Sequence, residues 1–251
     1  YAGVGVEKEV HEIHRALMKK SSVVATRTQE GADLLRGFGA DAMFSPDIVH
    51  LVAAQKDAKK LVKSLMLVTN VEVIPTWNAP SWSQLAWEKY KNEMAQFLDE
   101  RLEQGWKVSF FSMCKNSRMD DLWGATEIVA KMTRRSTNLE MIQGSELPNE
   151  RIFAEFSKRS VILTQRYHGA ILAEMVDVPC VAIHHHDKIK NVEPFRGTRV
   201  PYYEFAKRPL HEAVDQALAA SIPATNMRPQ FSELKRRFQI FLKEAGDGQV
   251  R

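Results

Sequence analysis

The sequence predicts an α/β protein built on parallel sheet, and three observations carry that expectation. Short apolar or β-branched runs alternate with segments of helical spacing along nearly the whole chain. Runs such as Val161-Ile162-Leu163-Thr164 are of the buried type, as in strands covered on both faces. Glycine and proline mark the joints, as at Gly37, Gly39 and Pro46.

In order, Ala2–Val6 is a short apolar run, and Glu7–Lys19 follows with Val10, Ile13 and Leu17 at helical spacing. Ser22–Thr26 reads as a strand, Gln29–Phe38 as a helix with glycine at its exit, and Ala42–Phe44 as a strand closed by Ser45-Pro46-Asp47. Residues 52–63 turn polar and basic, which marks a connection between lobes. The pattern then restarts with a strand at Leu65–Val68. A Trp/Pro-rich loop (75–82) leads into a long helix ending near Gly105. A strand over Trp106–Met113 and a helix over Asp121–Thr133 follow, then a short helix over Pro148–Lys158 and the strand Val161–Thr164. Gly169–Val176, Leu210–Ala219 and Phe231–Ala245 read as helices, and Val181–His184 as a strand. Strands alternating with helices in this way give a parallel sheet.

The chain has 251 residues, 44% of them apolar and 26% charged, with 35 Lys+Arg against 31 Asp+Glu. These proportions exclude a disordered, collagen-like or acidic-tail protein, and the small dispersed basic excess does not select a partner. Cys114 and Cys180 stand far apart, without the partners a disulfide framework or a cysteine-rich zinc site needs, so a reducing compartment is expected. No basic stripe interleaved with aromatics points to nucleic acid, and no apolar run approaches a membrane span. The chain opens at Tyr1 directly in a strand-and-helix pattern, so further residues are expected upstream.

In an open parallel sheet, ligands bind beyond the carboxyl ends of the strands. Applied to the strands above, that rule selects Arg27, Asp47, Asn70, Lys115, Asn116, Arg166, His168 and Lys188, a rim rich in cations that suits a small, multiply charged anion. The sharpest segment is Thr164-Gln165-Arg166-Tyr167-His168-Gly169-Ala170, which joins a buried strand to a helix start. Unpaired N–H groups and the helix dipole favour phosphate or carboxylate there. Gly169 and Ala170 let a ligand approach the backbone, a guanidinium at Arg166 grips an oxyanion, and His168 exchanges a proton near neutrality. The same spacing also fits an Arg salt bridge beside a helix-capping His.

Arg166-Tyr167-His168-Gly169-Ala170-Ile171-Leu172-Ala173, Val178-Pro179 and Lys188 together resemble the signature of the polysaccharide pyruvyl transferase family. Upstream, Ser22–Arg27 with Leu35, Gly39 and Asp47 resembles the family's strand–Arg–helix–Gly–strand–Asp segment, and the strand from Trp106 with Asp120 and Asp121 resembles another block. Three segments depart from the pattern. Asp177 replaces a frequent Gly, Thr28 follows Arg27 where an Asp is frequent, and His184-His185-His186-Asp187 replaces an aromatic stretch.

The resemblance implies a GT-B-like pair of Rossmann-type lobes facing a cleft, with residues 1–58 the end of the first lobe and its linker, and 59–251 the second. It also implies that most of the first lobe precedes Tyr1. The implied reaction moves the enolpyruvyl group of phosphoenolpyruvate onto two sugar hydroxyls, giving a pyruvate ketal and phosphate, with no metal or further cofactor. On that reading His168 is the general acid, Arg166 and Arg27 are the cationic grips, and Lys188 with the helix start at Gly169 stabilises the departing phosphate. Asn70 and Asp47 line the cleft, and Trp77 with Asn78 face the acceptor.

The three consecutive histidines cannot close around one ion from a single strand. The final helix has Phe231, Leu234, Phe238, Phe241 and Leu242 among basic residues, so it either packs on its own domain or lies on an anionic membrane, which suits a lipid-linked acceptor and a cytoplasmic enzyme. Two rivals remain open: a nucleotide-sugar glycosyltransferase of the same architecture, and a non-catalytic sugar- or anion-binding protein.

Overall fold

The computed structural model describes residues 16–49 (apart from 19, 22, 46 and 48), 61–220 (apart from 77, 78, 116–119, 135, 186–188, 190–194 and 196) and 232–240 (apart from 238). The run Ala2–Val6, most of the helix expected before Ser22, and the connection expected at 52–63 except for 61–63 lie outside the described residues. The chain divides into two units, 1–52 with 226–251, and 53–225.

In the first unit, β1 (Val24–Thr26) and β2 (Ala42–Phe44) pair in parallel and α1 (Gln29–Gly37) connects them. Thr28 caps α1 by accepting the Gly31 N–H, and Gly39 takes the left-handed φ of +83° that turns the chain back. The sequence reading places the last helix in the second lobe. It groups instead with the first unit, where Arg237 Nη1 meets Asp41 Oδ2 at 2.7 Å. Residues 232–237 and 239–240 are helical and Leu234 is half-buried, whereas Phe231, Phe238, Phe241 and Leu242 lie outside the described residues.

In the second unit, β3 (Ser64–Val68), β4 (Lys107–Phe111), β5 (Leu139–Ile142), β6 (Val161–Thr164), β7 (Cys180–His184) and β8 (Thr198–Pro201) form one parallel sheet in the order β5-β4-β3-β6-β7-β8. Counted from β3 this is the doubly wound order, with its reversal between β3 and β6. The connecting helices are α2 (Ser81–Glu103), α3 (Leu122–Lys131), α4 (Asn149–Ser157) and α5 (Tyr167–Met175), and α6 (Lys207–Ala219) follows β8.

Strand alternation sorts the core. Leu65, Leu67, Val108, Phe110, Val161, Leu163, Val181 and Ile183 meet Trp87, Tyr90, Met94 and Phe97 of α2, Ile128 of α3 and Leu210 and Val214 of α6. Phe111 packs edge-on against Phe156 of α4, at 5.2 Å between ring centres. All five residues of β3 are buried, so it is the centre of the sheet, and each buried Leu there contributes about 1.5–3 kcal/mol. The edge strands β5 and β8 are absent from the sequence reading because each buries little. Glu140 and Met141 of β5 are exposed, and β8 carries Arg199 and ends in Pro201. Among the described residues, no helix is long and apolar enough to cross a membrane.

Candidate active site

The sheet reversal parts the chain beyond β3 and β6, and a cleft of about 160 Å³ opens there. Its lining includes Asn70 and Glu72 after β3, Cys114 after β4, Gln165, Arg166 and His168 after β6, and His185 after β7. All lie at carboxyl ends of strands, where open α/β sheets bind ligands.

Arg166 is the extended residue before α5 (φ −108°, ψ 136°) and His168 is already in the helix's first turn, so the helix begins two residues before the expected Gly169. Both still line the cleft. His168 is exposed, and its ring lies edge-on to Tyr167 at 5.3 Å between centres. It makes no N-cap, because α5 has no side-chain cap. Thr164 Oγ1 accepts the Arg166 N–H at 3.0 Å, which fixes the turn from strand to helix.

Arg166 does form a salt bridge, and its partner is the finding the sequence hid. Asp121, fully buried, accepts from Arg166 Nε at 3.2 Å and from Nη2, a bidentate grip. The same carboxylate accepts the backbone N–H of Val71 at 3.0 Å, of Met113 at 3.0 Å and of Cys114 at 2.9 Å. Asp121 therefore ties together the segments that follow β3, β4 and β6. It leaves Arg166 Nη1 on the open side, 3.6 Å from Glu72 Oε1. The rim is thus less cationic than the sequence list suggests, because a buried and an exposed carboxylate both face Arg166.

Asn70, 3% exposed, caps the turn after β3 by accepting the Glu72 N–H at 2.9 Å. Its Nδ2 lies 3.2 Å from His185 Nε2 and 3.4 Å from Glu72 Oε2. His185 also sits 6.3 Å, centre to centre, from the Tyr202 ring. Burial, and then the neighbouring Tyr203, push the Tyr202 phenol well above its ordinary pKa and keep it neutral. Gln165, 1% exposed, accepts the Asn70 N–H on Oε1 at 3.2 Å, while its Nε2 has no hydrogen-bond partner among the described residues. Leaving a buried donor unpaired costs about 1–3 kcal/mol.

Gly169 has a packing reason to be glycine. It is buried, and a Cβ there would stand 2.2 Å from Thr164 Oγ1 and 3.3 Å from Val68 Cγ1. Its missing side chain lets α5 pack close onto β6 and β3. Lys115 does not line the cleft; its ammonium pairs with Glu146 at 2.6 Å. Arg27 follows β1 and Asp47 follows β2 in the first unit, where they form an ion pair at 3.4 Å. Lys188, Trp77, Asn78, Asn116 and His186 lie outside the described residues.

The sequence profile of the polysaccharide pyruvyl transferase family matches residues 2–187. The chain belongs to this family. No curated protein matches the sequence significantly. Among solved structures, it is similar to the UDP-GlcNAc 2-epimerase of Methanocaldococcus jannaschii in complex with UDP-GlcNAc and UDP. The TM-score there is 0.57 at 14% identity, over 86% of this chain and 60% of that one. It is also similar to a Listeria monocytogenes protein assigned as a UDP-N-acetylglucosamine 2-epimerase, with a TM-score of 0.58 at 12% identity, over 96% of this chain and 64% of that one. These likenesses establish a shared GT-B-like α/β fold, and the chain spans less than two thirds of either neighbour's length.

Within the pyruvyl transferase pattern, the two aspartates after β4 now separate. Asp120 stays local, accepting the Leu122 N–H at 2.9 Å, and Asp121 is the one joined to Arg166. Asp177, where the family often has glycine, adopts φ +53°, a left-handed geometry that Asp tolerates better than most residues.

Proposed function

We propose that the protein transfers the enolpyruvyl group of phosphoenolpyruvate onto two hydroxyls of a sugar, in a polysaccharide or its lipid-linked precursor, forming a cyclic ketal and releasing phosphate. The observation that carries this reading is the Arg166-x-His168 start of α5, opening on a cleft at the sheet reversal in a chain of this family.

The donor carries a carboxylate and a phosphate, both acceptor-only groups. Arg166 offers them its Nη1 edge, held in place by Asp121 from behind. Because Asp121 offsets the charge of Arg166, a multiply charged ligand needs more positive potential. The start of α5 supplies part of it, and Lys188 with Arg27 are assigned the rest. Glu72 must leave the Nη1 edge when the donor enters. His168, exposed in the first helical turn, protonates the methylene carbon, which becomes a methyl group and leaves C2 electron-poor. One sugar hydroxyl bonds to C2 as the C–O bond to phosphate breaks, and a neighbouring hydroxyl closes the ring. Of the two hydroxyl protons, one balances the proton placed on carbon and the other leaves with phosphate. Trp77 and Asn78 are assigned to the acceptor, and Asn70 and Asp47 to positioning.

A nucleotide-sugar reading has one observation in its favour. A ribose-binding acid is missing from the sequence reading near Arg166, and the structure places Glu72 there, half exposed at the cleft mouth. Thermal unfolding separates the two. Phosphoenolpyruvate raises the midpoint and uridine diphosphate leaves it unchanged; the reverse pattern contradicts the proposal.

A further inference from the structure

We infer that the side-chain amide of Gln165 is a ligand-binding donor in the wall of the cleft, and that it takes an oxygen of the bound oxyanion, a carboxylate or a phosphate. The inference deepens the proposed function and rests on it for the identity of the donor molecule.

Gln165 sits between the end of β6 and the start of α5, and its backbone N–H donates to Val68 O at 2.9 Å. The residue lines the cleft and is only 1% exposed, so its amide sits just behind the cleft surface. The Asn70 N–H, donating to Oε1, fixes which way the amide points. The amide nitrogen carries two donor hydrogens and has no hydrogen-bond partner among the described residues. A buried donor left unpaired in the wall of a pocket calls for an explanation, because nearly all buried polar groups are paired.

The neighbours of that donor decide what it accepts. Arg166 is the next residue, and the N-terminal turn of α5 begins one residue later, so the surroundings favour negative charge. Asn70 cannot satisfy the amide, because its backbone N–H already donates to Oε1 and its side chain is engaged with Glu72 and His185. A metal cation is excluded as the amide's ligand, because an N–H donor repels it. An acceptor-only oxygen fits, and phosphoenolpyruvate has several at each end.

The test uses two variants of the full chain, with binding read by calorimetry against phosphoenolpyruvate, inorganic phosphate and pyruvate. Gln165→Glu keeps an acceptor for the Asn70 N–H but removes both donors and adds a charge. Gln165→Met removes the amide altogether. Each weakens phosphoenolpyruvate binding by about 10- to 100-fold, the range for a hydrogen bond to a charged group. A parallel loss with inorganic phosphate assigns the amide to the phosphate end, and one with pyruvate assigns it to the carboxylate end. A folded Gln165→Glu that binds phosphoenolpyruvate within twofold of the parent overturns the inference. Where that variant does not fold, the same criterion applies to Gln165→Met. If the parent binds phosphate or pyruvate but not phosphoenolpyruvate, the donor reading fails while Gln165 is judged on the ligand that binds. A parent that binds none of the three overturns both.

Discussion

Asp121→Ala lowers the stability of the chain by about 3–5 kcal/mol, the cost of breaking a buried pair by removing one partner. The carboxylate is fully buried, it is gripped side-on by Arg166, and it also accepts three backbone N–H groups. Removing it strands all of them at once. A loss of this size is a large part of the roughly 5–15 kcal/mol that holds an ordinary domain together. The denaturation midpoint therefore moves far down, and anion binding falls with it because Arg166 loses its anchor. Asp121→Asn keeps the shape but not the charge, and it falls between the two proteins. A chemical denaturation series measures this directly; a change below about 1 kcal/mol for Asp121→Ala contradicts the clamp.

His168→Ala lowers turnover by about 10²–10⁴, the range for loss of a general acid, and leaves phosphoenolpyruvate affinity within a few-fold. The separation is clean because His168 is exposed in the first turn of α5, so its removal empties no core position and the variant folds like the parent. Phosphate release from phosphoenolpyruvate with the sugar acceptor present gives the rate, and calorimetry gives the affinity. Turnover that survives in the variant removes His168 from the chemistry.

The contrast between these two residues shows what the sequence can reveal. His168 belongs to a contiguous segment that runs from a buried strand into a helix, so its position at the cleft follows from local pattern alone. Asp121 meets Arg166 from 45 positions away. Nothing local separates Asp121 from Asp120 beside it, and only the strand order that brings the ends of β4 and β6 to the same rim does so. Glu72 escaped notice for the same reason, and His185, read only as one of three consecutive histidines, was not placed beside Asn70. The central strands β3, β4, β6 and β7 were legible because a strand buried on both faces has to be apolar. The edge strands β5 and β8 were not, since solvent tolerates Glu140 and Arg199 there. Gly169 also has a packing reason that the sequence did not show: helix meets strand there, close to Thr164 and Val68.

The central claim is that a small phosphorylated acid occupies the cleft at the sheet reversal. A crystal soaked with phosphoenolpyruvate tests it most directly. The account predicts the molecule between Asn70, Gln165, Arg166 and His168, with an oxyanion oxygen about 3 Å from Arg166 Nη1 and Glu72 turned away. Phosphoenolpyruvate bound elsewhere on the chain, with this cleft taking a nucleotide diphosphate instead, contradicts it.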